Sequence, residues 1–295
     1  MRSRRRTIEL PVMTHYYPLK SGAAAVLAAS IGLGWSCAAA AAGAASPWSE
    51  GYNNKSRLLA GAGVSPSSAP LFAGIEIAMQ PGWKTYWRSP GDAGGVPPSF
   101  DWSGSENLEL ARVLFPAPHR LIDKSGPAIG YKDHVLLPIE ITPKDASKPV
   151  KLRLKAEYGV CKDICIPAEA ALELDVSPKA GVSSEISDAF ALVPRTAPKA
   201  GADPVIAKWQ VEGPDAKRVL KIEVADPGGQ GGDVFVEAPA GLYVPVPKKT
   251  SDANGRATYE VDLSDGVDFK ALRGQDLTVT LVGEKGQSQA VIKID

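Results

Sequence analysis

From Leu152 to Tyr158 apolar and charged side chains alternate residue by residue. Leu152, Leu154, Ala156 and Tyr158 fall on one side, and Arg153, Lys155 and Glu157 on the other. A period of two belongs to a β-strand with one face in a core and one in water. Further short β-rich runs follow this texture: Leu71–Met79, Trp83–Trp87, Ala111–Phe115, Val135–Ile141, Val150–Val160 and Ala171–Val176. Turn signals separate them at Pro81-Gly82, Pro90-Gly91-Asp92, Gly94-Gly95 and Ser125-Gly126-Pro127. The 25 prolines and 29 glycines fit a turn-rich chain and argue against a helical bundle. The expected class is all-β, an antiparallel β-sandwich.

Ser184–Val193 is the one segment with a helical stripe, made by Ile186, Ala189, Phe190 and Val193 and stopped by Pro194. Pro194–Pro204 reads as a linker by composition. A second strand set follows: Val219–Val224, Val234–Val236, Leu242–Val246, Ala257–Leu263, Leu277–Val282 and Ala290–Ile294. The expected organisation is therefore a first β domain over 46–180, a short helix and linker over 181–204, and a second small β-sandwich over 205–295. That second domain has no cysteine or histidine and reads as a spacer or docking module.

The N-terminus reads as an address. Residues 2–20 are basic, 21–45 are apolar and Ala-rich, and Ala42-Gly43-Ala44 suits a signal-peptide cleavage site. Export to the periplasm is expected, with a mature chain starting near Ala45. Met13 is an alternative start, and Ser3-Arg4-Arg5-Arg6 loosely resembles a twin-arginine signal. The competing reading is a retained anchor, but a segment rich in Ala and poor in Leu partitions weakly into lipid. Gly34-Trp35-Ser36 before Cys37 makes a poor lipoprotein box, so a lipid anchor is not expected. Removing residues 1–44 leaves 28 basic against 32 acidic side chains, a net charge of −4. No basic cluster survives for nucleic acid, and no run approaches the ~20 apolar residues that span a bilayer, so the body is not expected to be membrane-embedded.

Cys161 and Cys165 are the only cysteines beyond this address, and Lys162-Asp163-Ile164 lie between them. A reverse turn at the end of a strand could bring their side chains together. Three readings stand: a redox pair, a structural staple or a metal site. Closing so short a loop stabilises by only ~2 kcal/mol in the chain-entropy model, little for a domain with a sizeable core. Lys162 would lower a neighbouring thiol pKa and Asp163 would oppose it. His119 and His134 are the only further histidine ligands for a metal, and Met79 is the only methionine past the address, so no metal and no cofactor are expected. Gly91–Gly95 has no helix pattern after it and reads as a loop rather than a phosphate cradle.

The order Gly82-Trp83-Lys84-Thr85-Tyr86-Trp87, Pro90-Gly91-Asp92-Ala93-Gly94, Gly130-Tyr131, Leu137-Pro138-Ile139 and Tyr158-Gly159-Val160-Cys161-Lys162-Asp163-Ile164-Cys165-Ile166-Pro167 resembles the N-terminal periplasmic domain of the DsbD thiol:disulfide interchange proteins, especially the ScsB-type branch. The resemblance covers about 70–177. It implies an immunoglobulin-like fold in which Cys161 and Cys165 form the redox-active pair. Tyr86 would lie beside the pair and Tyr131 would follow a cap loop. In that region, about His119–Gly130, Leu121 and Ile122 stand where the family carries an aromatic shield. The three-residue spacing is also shorter than is usual in the DsbD type. Trp83, Tyr86, Trp87 and Tyr131 would frame a docking surface or else fill the core.

The implied role is a dithiol carrier. It would take electrons from a separate thioredoxin-like or membrane-embedded donor. It would pass them to oxidised periplasmic thiol proteins, such as disulfide isomerases or cytochrome c maturation factors. A non-catalytic binding module with a structural disulfide, or a Cu(I)-binding copper-tolerance factor, are the alternatives.

Overall fold

A computed structural model describes residues 44–61, 70–92, 94–123, 126–178, 183–229, 232–264 and 266–294. The expected signal segment up to Gly43, with Met13 and Cys37, lies outside the described residues, as do Ala93, Lys124 and Ser125. The first half contains β1 (Ser49–Gly51), β2 (Asn54–Gly61), β3 (Leu71–Met79), β4 (Lys84–Tyr86), β5 (Ser99–Asp101), β6 (Leu108–Val113), β7 (His119–Asp123), β8 (Gly126–Lys132), β9 (His134–Pro143), β10 (Val150–Cys161) and β11 (Cys165–Val176). Helix α1 (Ser184–Ala191) follows. The second half contains β12 (Val205–Glu212), β13 (Val219–Ala225), β14 (Asp233–Glu237), β15 (Lys248–Ala253), β16 (Arg256–Asp262), a single turn α2 (Phe269–Leu272), β17 (Asp276–Val282) and β18 (Gln287–Lys293).

The strands of the first half form two antiparallel sheets, ordered β1-β2-β3-β9-β6 and β11-β10-β4-β8-β7, with β5 added to β10. The alternation along β10 is realised: Leu152, Leu154, Ala156 and Tyr158 are buried between the sheets while Lys155 and Glu157 face out. Ile75, Ile77, Leu137 and Ile139 complete the core from β3 and β9. The Tyr158 hydroxyl is satisfied there by donating to Asn54 Oδ1 at 2.8 Å, as a buried hydroxyl requires. The fold is immunoglobulin-like and all-β. Among the described residues no helix is long and apolar enough to cross a membrane.

The second half makes a four-stranded sheet, β12-β13-β16-β15, and a three-stranded sheet, β14-β17-β18. Its own core gathers Leu220, Ile222, Tyr259, Val261, Leu277 and Val279. Two of its side chains, Phe235 and Val246, instead join the core of the first half, and the Phe235 ring meets Trp87 at 5.9 Å. Ion pairs Arg88–Glu237 and Arg120–Asp233 fasten the same seam.

Two expectations are corrected, and the linker region is given a definite form. Leu242–Val246 is not a strand; it is an extended segment whose Val246 is drawn to the first core rather than to a neighbouring strand. Pro194–Pro204, expected as a linker, is pinned to its surroundings. Asp203 is buried, accepts from Arg195 at 2.6 Å and from the Lys199 amide at 2.7 Å, and Arg195 exchanges backbone hydrogen bonds with Gln287 and Gln289. The helix stops at Ala191, with Ser183 capping its start and Ile186 and Ala189 on its buried side.

Candidate functional site

The two cysteines end paired strands. The β10–β11 ladder runs unbroken from Val150↔Val176 to Cys161↔Cys165, and Lys162, Asp163 and Ile164 turn between them. The Lys162 amide closes the turn by donating to the Ile164 carbonyl at 3.0 Å. The cysteines are joined as a disulfide with Cα atoms 4.1 Å apart. Cys161 is fully buried, whereas Cys165 is exposed to solvent.

On its other edge β10 meets β4, with Val160 opposite Thr85 and Cys161 opposite Lys84. The Thr85 hydroxyl donates to the Gly159 carbonyl at 2.8 Å, holding the junction. The next residue, Tyr86, is nearly buried and its hydroxyl lies 3.1 Å from the Cys165 sulfur and 3.3 Å from the Cys161 sulfur. Neither sulfur of a disulfide carries hydrogen, so the phenol is the donor to both. Tyr86, Ala128 and Cys161 form a small apolar cluster, with Leu121 packed against it.

Glycines make room for the phenol. A Cβ on Gly95 would stand 2.4 Å from Cζ of Tyr86, and one on Gly159 would stand 3.1 Å from Cδ2. Gly95 also has φ +146°, a conformation that side-chain-bearing residues rarely adopt. The Gly159 amide donates to the Val96 carbonyl at 3.3 Å, so Gly95 and Val96 are laid along β10 beside the ring. These glycines, with Ala128, are site residues that pattern reasoning missed. The glycine-rich run was visible, but nothing in it announced an aromatic ring as its neighbour.

The remaining sequence candidates divide. The region expected as a cap loop is a hairpin, β7–β8, with His119 paired to Gly130 and Leu121 to Ala128. Leu121 touches the Tyr86 cluster, while Ile122 points away and is 81% exposed. Lys162 is exposed, with its Cε and Nζ lying over Gly82. It borders a groove of about 370 Å³ with Lys132, Leu121 and Ile122. Tyr131 lies in the main core, its hydroxyl donates to the Pro116 carbonyl at 2.8 Å, and burial raises its pKa well above the ordinary tyrosine value. Trp87 is fully buried and so offers no docking surface. Trp83 is half-buried, edge-on to Tyr52 at 6.0 Å. His134 is engaged with Glu76 at 3.0 Å, and among the described residues no group of His, Cys, Asp and Glu is arranged to hold a metal.

Residues 61–177 match the family model described as thiol:disulfide interchange protein DsbD, N-terminal. This segment is a DsbD-type N-terminal domain. The disulfide at the β10–β11 tip and the Tyr86 contact both fall inside it, and the chain thus contains a module related to thiol-disulfide interchange. No curated protein matches the chain. Among solved structures, the chain is similar to the crystal structure of the N-terminal periplasmic domain of ScsB from Proteus mirabilis, with a TM-score of 0.66 at 21% sequence identity. That likeness covers 85% of this chain and 98% of the other. It therefore extends past the DsbD-type domain into the second half, and it establishes the shared fold.

Proposed function

We propose that the protein is a periplasmic thiol-disulfide exchange module that relays reducing equivalents through Cys161 and Cys165. In this reading 46–180 is the redox domain and 205–295 a supporting sandwich. The observation that carries it is the asymmetry of the pair: one cysteine is exposed, the other is buried, and a phenol donates to both sulfurs.

A donor thiolate attacks the Cys165 sulfur, the Cys161–Cys165 bond breaks, and Cys161 leaves as a thiolate. The Tyr86 hydroxyl is placed to stabilise that leaving charge, since a hydrogen bond to an ionised sulfur is stronger than one to a neutral acceptor. A second donor thiol, as its thiolate, attacks its own partner sulfur in the mixed disulfide. This releases Cys165 and leaves the donor oxidised by two electrons. Both cysteines take up protons as their pKa values require. The reduced pair then repeats the exchange in reverse on an oxidised periplasmic protein. The donor is a separate thioredoxin-like or membrane-embedded dithiol.

Mixing the oxidised protein with a reduced thioredoxin-like protein tests this. Equilibration within seconds to minutes is the expected result; the C161A variant, mixed instead with the oxidised form of that protein, should form a mixed disulfide as its Cys165 thiolate attacks the partner's disulfide and releases one partner thiolate. A disulfide that stays closed in such mixtures would mark it as a structural clip.

A further inference from the structure

The glycine segment against Tyr86 is anchored by the other half of the molecule. Asp92 Oδ1 accepts two hydrogen bonds from the extended segment before β15, one from the Tyr243 hydroxyl and one from the Val246 amide, both at 2.9 Å. A Cβ on neighbouring Gly91, at φ +87°, would stand 3.2 Å from Val246 Cγ2 and 3.1 Å from Ile129 Cγ1, so the backbone is tightly seated there. Val246 is itself buried in the first core. The Gly94 amide returns to the Gly91 carbonyl at 3.1 Å, closing a turn, and Gly95 then lies on the Tyr86 ring. A short physical chain thus runs from Tyr243 and Val246 through Asp92 to Gly95, Tyr86 and the two sulfurs.

We propose that Asp92 and Tyr243 are positioning residues of the redox site: the second half, through the Asp92 anchor, holds the glycine segment that keeps the Tyr86 hydroxyl on the disulfide. This deepens the exchange reading above and rests on it for its biological meaning. The anchor touches neither sulfur. It acts by limiting where the phenol ring can go, because a ring walled by Gly95 and Gly159 can leave the sulfurs only if the segment lifts. A hydrogen bond that is stronger to thiolate than to disulfide favours the reduced pair. Loosening the anchor therefore favours the disulfide.

The test is the redox equilibrium of the full chain with reduced and oxidised glutathione, with unfolding measured in parallel. Y86F sets the scale: it should shift the equilibrium toward the disulfide by about tenfold, the effect of losing one charge-assisted hydrogen bond. D92A should shift it the same way, by about three- to tenfold, and Y243F by less, since the Val246 amide remains. In the Y86F background D92A should add nothing, because the two act through one contact. An unchanged equilibrium in folded D92A, or an equal shift in the Y86F background, would overturn the proposal. If D92A does not fold, Y243F carries the same test, since it removes only a hydroxyl from a half-exposed ring. Glutathione needs no protein partner. Failure to exchange with a thioredoxin-like donor would sink the exchange reading while leaving this measurement intact.

Discussion

Cys161 and Cys165 face each other across one hairpin end, yet the first is sealed in the apolar cluster of Tyr86 and Ala128 while the second meets solvent. Access, rather than spacing, distinguishes them. In the reduced protein, alkylation should label Cys165 at least tenfold faster than Cys161, because reaction needs an accessible thiolate. Mass mapping after a short pulse of reagent checks this. Equal labelling would mean that the tip opens freely in solution.

The Trp87–Phe235 contact lies in a core shared by the two halves. Phe235→Ala should therefore cost about 3–5 kcal/mol. Its effect should appear in one cooperative transition followed by both near-ultraviolet dichroism and tryptophan fluorescence. Two separate transitions, only one of them shifted, would show that the halves unfold independently.

Arg88 makes a two-pronged contact with Glu237, at 2.8 and 2.7 Å, reaches Gln289 at 2.8 Å, and lies over the Trp87 ring. With both partners largely shielded, Glu237→Ala should destabilise by about 1–3 kcal/mol. Urea denaturation measures it, and a loss indistinguishable from zero would place this pair with ordinary surface pairs.

Three tyrosines set an alkaline limit. Burial raises the pKa of Tyr131, Tyr158 and Tyr259, with nearby Asp233 adding to the rise at Tyr259. The folded state keeps these phenols protonated where the unfolded chain releases them. The unfolded state then binds fewer protons, and stability falls as pH rises. It should be unaffected by these groups below about pH 10 and decline above it. Stability curves across that range, with tyrosinate absorbance, give the answer; a flat profile would contradict the burial.

How far the sequence carries the fold differs from segment to segment. The Leu152–Tyr158 alternation foretold a half-buried strand, and Leu71–Met79 was bounded to the residue, because periodicity is local. Strands β2 and β12 were not read, since Asn54–Gly61 and Val205–Glu212 lack a clean alternation and gain their pairing from distant partners. Leu242–Val246 has the composition of a strand but serves as a bracket, a role set by contacts some 150 residues away in sequence. At the site, the cysteine pair and Tyr86 were singled out by motif, and the structure places them together. Tyr131 came from the same motif, and its ring lies in the core, one of the two readings the sequence allows. Asp92 stands in a turn and in the family motif with no role legible there, because its partners belong to the other half.

The long β10–β11 ladder has one more implication. Its register is maintained by eleven residue pairs before the cysteines are reached, and β4 grips the same end from the side. Severing the sulfur bridge therefore leaves the backbone nothing to rebuild. Both oxidation levels can share a single scaffold, so any reorganisation on opening the bridge is confined to a few side chains at the rim.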